Sequence, residues 1–219
     1  MYEPDLVQTF PATGLTALRL HIVAGLVTIE ACQRDEVRIL VNGIRETPAL
    51  MPGVDREGDL LRIDGENEPA LALLHQQERL KMIVQIPMGF AVTMRMLAGT
   101  LQLNGGFERL DARLRFGSIE GCAPARRLKI RVFAGDVRLG GLTGAADVQL
   151  SLGDLTMAWA HLDGGESILA RSFVGETRLD LPDHITLRGG QAVHRPAGYP
   201  ASSTQTAKRA TATLTGISP

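Results

Sequence analysis

Between residues 91 and 180 the chain alternates apolar and polar side chains with a period of two, and glycine interrupts the alternation at regular intervals. The stretches GTLQL, GSIEG, GDVRL and GDLTM start at 99, 117, 135 and 153, a constant interval of eighteen. GETRL follows at 175, after a longer step of twenty-two. A second series, LDARL at 110–114, LKIRV at 128–132 and ADVQL at 146–150, keeps the first interval, and AVTMRM at 91–96 holds its phase. Alternation of this kind marks a strand with one buried face. Each unit therefore predicts two short strands and two turns. One unit cannot bury its own apolar face, whereas units stacked about 4.8 Å apart enclose a shared core. Self-similarity at a fixed period outweighs local propensity. The expectation is an all-β chain: a single-stranded β-solenoid, β-helix-like, with about 18 residues and two short strands per coil. A β-sandwich of evenly spaced hairpins is the competing architecture.

The period predicts inward columns. One runs Leu101, Ile119, Val137, Leu155 and Thr177, and its neighbour Leu103, Gly121, Leu139, Met157 and Leu179. On the opposite wall lie Leu110, Leu128 and Ala146, then Ala112, Ile130 and Val148, then Leu114, Val132 and Leu150. Gly121 and Thr177 weaken the pattern. Gly99, Gly117, Gly135, Gly153 and Gly175 mark corners. The fourth unit carries an insertion around HLDGGES.

Towards the N-terminus, LTALRLHIVAGLVTIEAC and DEVRILV also alternate, as a first coil or as a strand pair capping the stack. From 43 to 80 the repeat fades into an irregular capping insertion with a short strand, LLRI, and a helix candidate, ALALLHQQERLKM, whose apolar side is Leu73, Leu74 and Leu80. A helix there lids an open end, where bare strand edges invite aggregation. The expected organisation is an N-terminal segment at 1–14, the solenoid at 15–190, and a polar, Pro/Ser/Thr-rich C-terminal arm at 191–219 in which ATATLTGI returns as a last strand.

Composition narrows the function classes. Aromatic residues make up 4% of the chain and glycine contributes 24 residues, so the core is aliphatic and layered. A formal net charge of −1 supplies no global field toward nucleic acid or anionic lipid. Two cysteines, Cys32 and Cys122, make neither a disulfide framework nor a metal motif and read as buried free thiols. The start, MYEPDLVQTFPATG, lacks the pattern of a signal peptide. A cytoplasmic location follows, or cell-surface association if a leader has been removed. No stretch approaches the roughly 20 apolar residues of a transmembrane helix.

Outward columns are where binding chemistry is expected. Thr100, Ser118, Asp136, Asp154 and Glu176 follow the corner glycines, and stacked carboxylates can serve a metal or a substrate. Arg95, Arg113 and Arg131, followed by Gln149, form a second column suited to phosphate or carboxylate groups, with Lys129 on the same wall. No aromatic residue alternates with these arginines, which a single-strand nucleic-acid surface requires. No specific nucleic-acid partner is expected. The five histidines lack helical metal-site spacing, and Ser118 in FGSIEG lacks the nucleophile-elbow pattern. No residue is assigned to catalysis, a cofactor or a metal.

The corner phrases AGLVTIE, AGTLQL, AGDVRLG and LGDLTM, the approach VQIPMGFAVTM, and GETRLDLP near the end resemble a bacterial putative-adhesin domain family of unknown function. The resemblance covers most of residues 15–190. It implies a β-solenoid with Gly-Asp-Val/Ile-x-Leu rungs and brings no catalytic residue or cofactor. Gly121, the longer fourth unit and the C-terminal arm depart from the family pattern. The functional expectation is a non-enzymatic scaffold that contacts a protein partner or itself, through Arg95, Arg113, Arg131, Asp136, Asp154 and Glu176. The alternatives are a carbohydrate-active enzyme using the outward carboxylates, and polyanion binding along the arginine stripe.

Overall fold

A computed structural model describes residues 4–42, 52–65, 80–162 and 166–182, together with the backbone of 191–192 and 210–211. The fold is all-β with mixed sheet topology. The strands are β1 (Leu6–Pro11), β2 (Ala17–Cys32), β3 (Glu36–Asn42), β4 (Gly53–Glu57), β5 (Leu60–Gly65), β6 (Lys81–Pro87), β7 (Ala91–Asn104) and β8 (Phe107–Cys122). They continue as β9 (Ala125–Ala134), β10 (Val137–Leu142), β11 (Ala145–Leu152), β12 (Leu155–Trp159), β13 (Ile168–Val174) and β14 (Thr177–Asp180). A small antiparallel pair, β15 (Gln191–Ala192) and β16 (Ala210–Thr211), forms its own two-stranded sheet, with β16 lying against β13.

The sequence interval of eighteen is the pairing offset of the parallel strands. Leu101 pairs with Ile119, Ile119 with Val137, and Val137 with Leu155, so this column is one continuous ladder. On the other wall Leu110, Leu128 and Ala146 are in register, as are Ala112, Ile130 and Val148. In the last rung Leu155 pairs with Thr177 and Ala146 with Ile168, the longer step seen in the sequence. The extra residues fall between β12 and β13, where the buried Trp159 donates its indole N–H to the carbonyl of Gly144 at 3.1 Å. The Leu114, Val132, Leu150 column ends on buried Ser172, whose hydroxyl donates to the Gly153 carbonyl at 3.4 Å.

β2, β7 and β8 each run through a corner without a break, at Gly25, Gly99 and Gly117. Later rungs split there, into β9 and β10 around Gly135, β11 and β12 around Gly153, and β13 and β14 around Gly175. These glycines have φ between 125° and 145°. A β-carbon on Gly117 would overlap the carbonyl oxygen of Gly99, and one on Gly135 that of Gly117. Gly121, an apparent flaw in an inward column, obeys the same rule: its φ is 134°, and a β-carbon would strike the Leu103 carbonyl.

The N-terminal end departs from the pairing offset of eighteen. β2 pairs in parallel with β7, with Gly25 opposite Gly99. Its outer edge carries β5 on one half and β6 on the other, both parallel. In space, therefore, the rung made by β5 and β6 lies outside β2, although it follows β2 in sequence. Beyond it the chain turns antiparallel: β3 on β6, β1 on β3, and β4 on β5. LTALRLHIVAGLVTIEAC is thus an internal rung, and DEVRILV belongs to the covering strands. LLRI is the start of β5. Most of the helix candidate at 70–82 lies outside the described residues, and its last two residues, Lys81 and Met82, begin β6.

The core is aliphatic, with Leu20, Ile29, Ile39, Ile63, Val84, Met94, Leu103, Ile130 and Val148 fully buried. The expectation of two buried thiols requires correction. Cys32 is half-buried, its Sγ 3.6 Å from the Ile86 carbonyl, but Cys122 is exposed. Cys122 follows inward-phase Gly121 and pairs with Asn104 and Gly140, so strand alternation turns its side chain outward.

Candidate interaction surface

Strand register brings the predicted arginines together. Arg95 pairs with Arg113, and Arg113 with Arg131. The column continues through Gln149 to Arg171 at one end and to His21 at the other. Arg131 is clamped: its Nη1 and Nη2 reach Oδ1 and Oδ2 of Asp147 at 3.0 and 2.8 Å. That hydrogen bonding, aided by the charges of Arg131, Lys129 and Arg171, outweighs partial burial and holds the Asp147 carboxyl below its ordinary pKa. Arg113 lies more loosely beside Asp111, with Nε 3.7 Å from Oδ1. Arg95 and Arg115 are exposed and form no ion pair with any described residue.

The acidic column lies just past the corner, and its first members serve the backbone. Asp136 Oδ1 accepts the amide N–H of Asp154 at 3.1 Å, and Asp154 Oδ1 accepts that of Glu176 at 2.9 Å. Asp136 also pairs with Arg138 at 2.7 Å. The Thr100 and Ser118 hydroxyls are 3.3 Å apart, continuing the ladder. These side chains therefore cap one rung from the next. Glu176 is exposed at the end of the column.

The two columns are joined by a strip that the sequence reading missed. Phe133 stands two residues beyond Arg131 and Phe173 two beyond Arg171, on the same outward phase; aromatic residues do accompany the arginines, and the contrary reading is corrected. Phe116, Phe133 and Phe173 are 46%, 51% and 57% exposed, and Leu152 and Val174 are exposed beside them. Phe116 and Phe133 meet edge to face with ring centres 5.9 Å apart. The strip occupies the two positions before each corner glycine, on rungs whose neighbours in space lie one repeat away in sequence. Reading those two positions down the repeat reveals it.

Two open grooves flank the Phe116–Phe133 ridge. A basic one of about 520 Å³ is bordered by Arg95, Arg113, Arg115, Arg131, Phe133 and Phe173. The other, about 410 Å³, is bordered by Thr100, Phe116, Ser118, Asp136 and corner glycines. Among the described residues no group of three or more His, Cys, Asp or Glu is placed to hold a metal ion. No helix among them is long and apolar enough to cross a membrane.

No family model matches the chain, and no curated protein matches it. Solved structures are similar at low identity. A putative cell adhesion protein from Clostridium sporogenes is 9% identical with a TM-score of 0.44, over 82% of this chain and 100% of that one. A putative adhesin from Bacteroides fragilis is 10% identical with a TM-score of 0.30, over 83% and 96%. A putative adhesin from Parabacteroides merdae is 8% identical with a TM-score of 0.25, over 83% and 99%.

Proposed function

We propose that the chain is a non-enzymatic interaction protein, adhesin-like in role, whose body at 15–190 is a β-solenoid that winds once per repeat of eighteen. Its contact face is the arginine column with the adjoining phenylalanine strip. The carrying observation is the clustering of Phe116, Phe133, Leu152, Phe173 and Val174 beside exposed arginines. A contiguous apolar patch marks an interaction site, and aromatic residues and Arg are the types enriched in protein interfaces.

The test uses a photo-crosslinking phenylalanine analogue at position 133 and, as a control, at exposed Thr9 on the covering strand β1. Protein adducts concentrated at 133 support the reading. Adducts at neither site, or equally at both, overturn it. The coil itself is tested by duplicating residues 117–134. A whole added unit keeps register and folds cooperatively, whereas a duplicated half-unit reverses which wall meets which.

Arg95, Arg113 and Arg115 around one groove favour a second reading, in which the same wall holds a polyanion. A sulfated polysaccharide titrated at two salt concentrations tests it. Affinity that falls with salt and is lost in the R95Q/R113Q variant supports it, since exposed charge contacts are screened. Salt-independent affinity counts against it.

A further inference from the structure

We infer that the partner of this face is a second copy of the same chain, joined in a closed two-fold dimer. The inference rests on the interaction reading above and names the occupant of that face.

The patch is self-complementary in charge. Exposed Arg95, Arg113 and Arg115 crowd one end of the strip, on the wall before the corner. Asp154 and Glu176, both exposed, occupy the other end, past the corner, where Arg178 is paired with Asp180 and half-buried Arg171 only partly offsets the two carboxylates. The phenylalanines lie between. A two-fold axis through the middle of the strip exchanges its ends, so the basic end of one copy meets the acidic end of the other twice over. An isologous interface requires such self-complementarity, with residue i meeting j and j meeting i.

The patch is also self-complementary in shape. The Phe116–Phe133 ridge stands proud between two grooves. Under the same axis the ridge of each copy enters the basic groove of the other. There the Phe116 and Phe133 rings meet the face of Phe173 and the guanidinium of Arg115, contacts of aromatic–aromatic and cation–π type. Five of the seven large hydrophobic side chains exposed among the described residues leave water in this one contact, the others being Val7 and Met88. Ends of like charge would repel in any pairing that does not exchange them, so the charges fix the orientation while the rings supply the contact area.

Sedimentation equilibrium of the full chain, from dilute to the highest soluble concentration, tests the proposal. The expected result is a monomer–dimer equilibrium that moves toward monomer in high salt. The F133S/F173S variant, with an unchanged melting curve, raises the dissociation constant at least about tenfold, the loss expected for central aromatic anchors. R113E and E176R each weaken the dimer, and an equimolar mixture of the two restores a heterodimer, because the mixed pair regains its missing contact. The mixing result stands even if the phenylalanine variant fails to fold.

A chain that stays monomeric, assembly that grows without limit, a dimer indifferent to F133S/F173S, or no rescue on mixing overturns the dimer. A monomer that still cross-links a different protein at position 133 overturns the dimer alone. Absence of every adduct there, including the chain's own, overturns the interaction reading as well.

Discussion

Asp136 Oδ1 lies 3.1 Å from the backbone nitrogen of Asp154, one rung further along the stack, and accepts its N–H. Asp154 repeats the arrangement toward Glu176. A carboxylate prominent on the surface thus secures the corner of the next rung. Replacing Asp136 with alanine removes that acceptor and its pairing with Arg138. The expected loss is about 1–2 kcal/mol in a denaturant titration, with D136N retaining much of the stability because its amide oxygen still accepts. An equal loss in both variants would assign the effect to charge alone.

The corner glycines give a sharper prediction. Gly135 combines a φ of 138° with direct apposition to the Gly117 carbonyl. G135A both strains the backbone and forces two rungs apart, for a loss of about 3 kcal/mol or more. Gly58 also has positive φ, at 63°, but faces open space. G58A should therefore cost markedly less in the same assay, since it meets only the backbone term.

Ile119 tests the ladder through packing. It is fully buried between Leu101 and Val137. I119A leaves a hole bounded above and below by side chains fixed in register, and a loss of about 2–5 kcal/mol is expected. A loss well under that range would mean that the rungs can close over the gap.

Acid dependence follows from the Arg131–Asp147 pair. The Asp147 carboxyl is held below its ordinary value, so the folded state releases this proton more readily than the unfolded chain. Its stabilisation is fully present above the unfolded carboxylate pKa of about 3.9 and is lost as pH falls through the lower folded value. Because both side chains are partly exposed, the contribution is modest. In R131Q, carboxylate NMR should show Asp147 titrating closer to the ordinary value, and the low-pH loss of stability should flatten. An unmoved titration would place the cause elsewhere.

The rungs from β7 onward were legible because their partners are local. A constant interval of eighteen can be read directly, and the register of Leu101, Ile119, Val137 and Leu155 follows from it. The placement of β2 was not legible. Leu18 pairs with Leu61 on one side and Val92 on the other, across long stretches of chain with no constant interval to mark them. The arginine column was legible for the same reason as the core. The phenylalanine strip was missed because Phe116, Phe133 and Phe173 occupy two different positions of the repeat on separate rungs, and only the folded corner makes them neighbours. Asp136 and Asp154 were identified as outward acids, but their hydrogen bonds to the next rung depend on the tightness of the glycine corner, which period alone does not convey.

The position of β2 also governs the order in which the chain can be completed. Downstream rungs need only a partner one repeat away, and closing so short a loop costs little entropy. β2 waits for both β5 and β6 on one edge and β7 on the other, so an emerging chain must extend past residue 104 before that rung is hemmed in. During synthesis, β2 is therefore made long before it is locked, and its apolar stripe stays open to wrong partners for as long as the ribosome takes to reach β7.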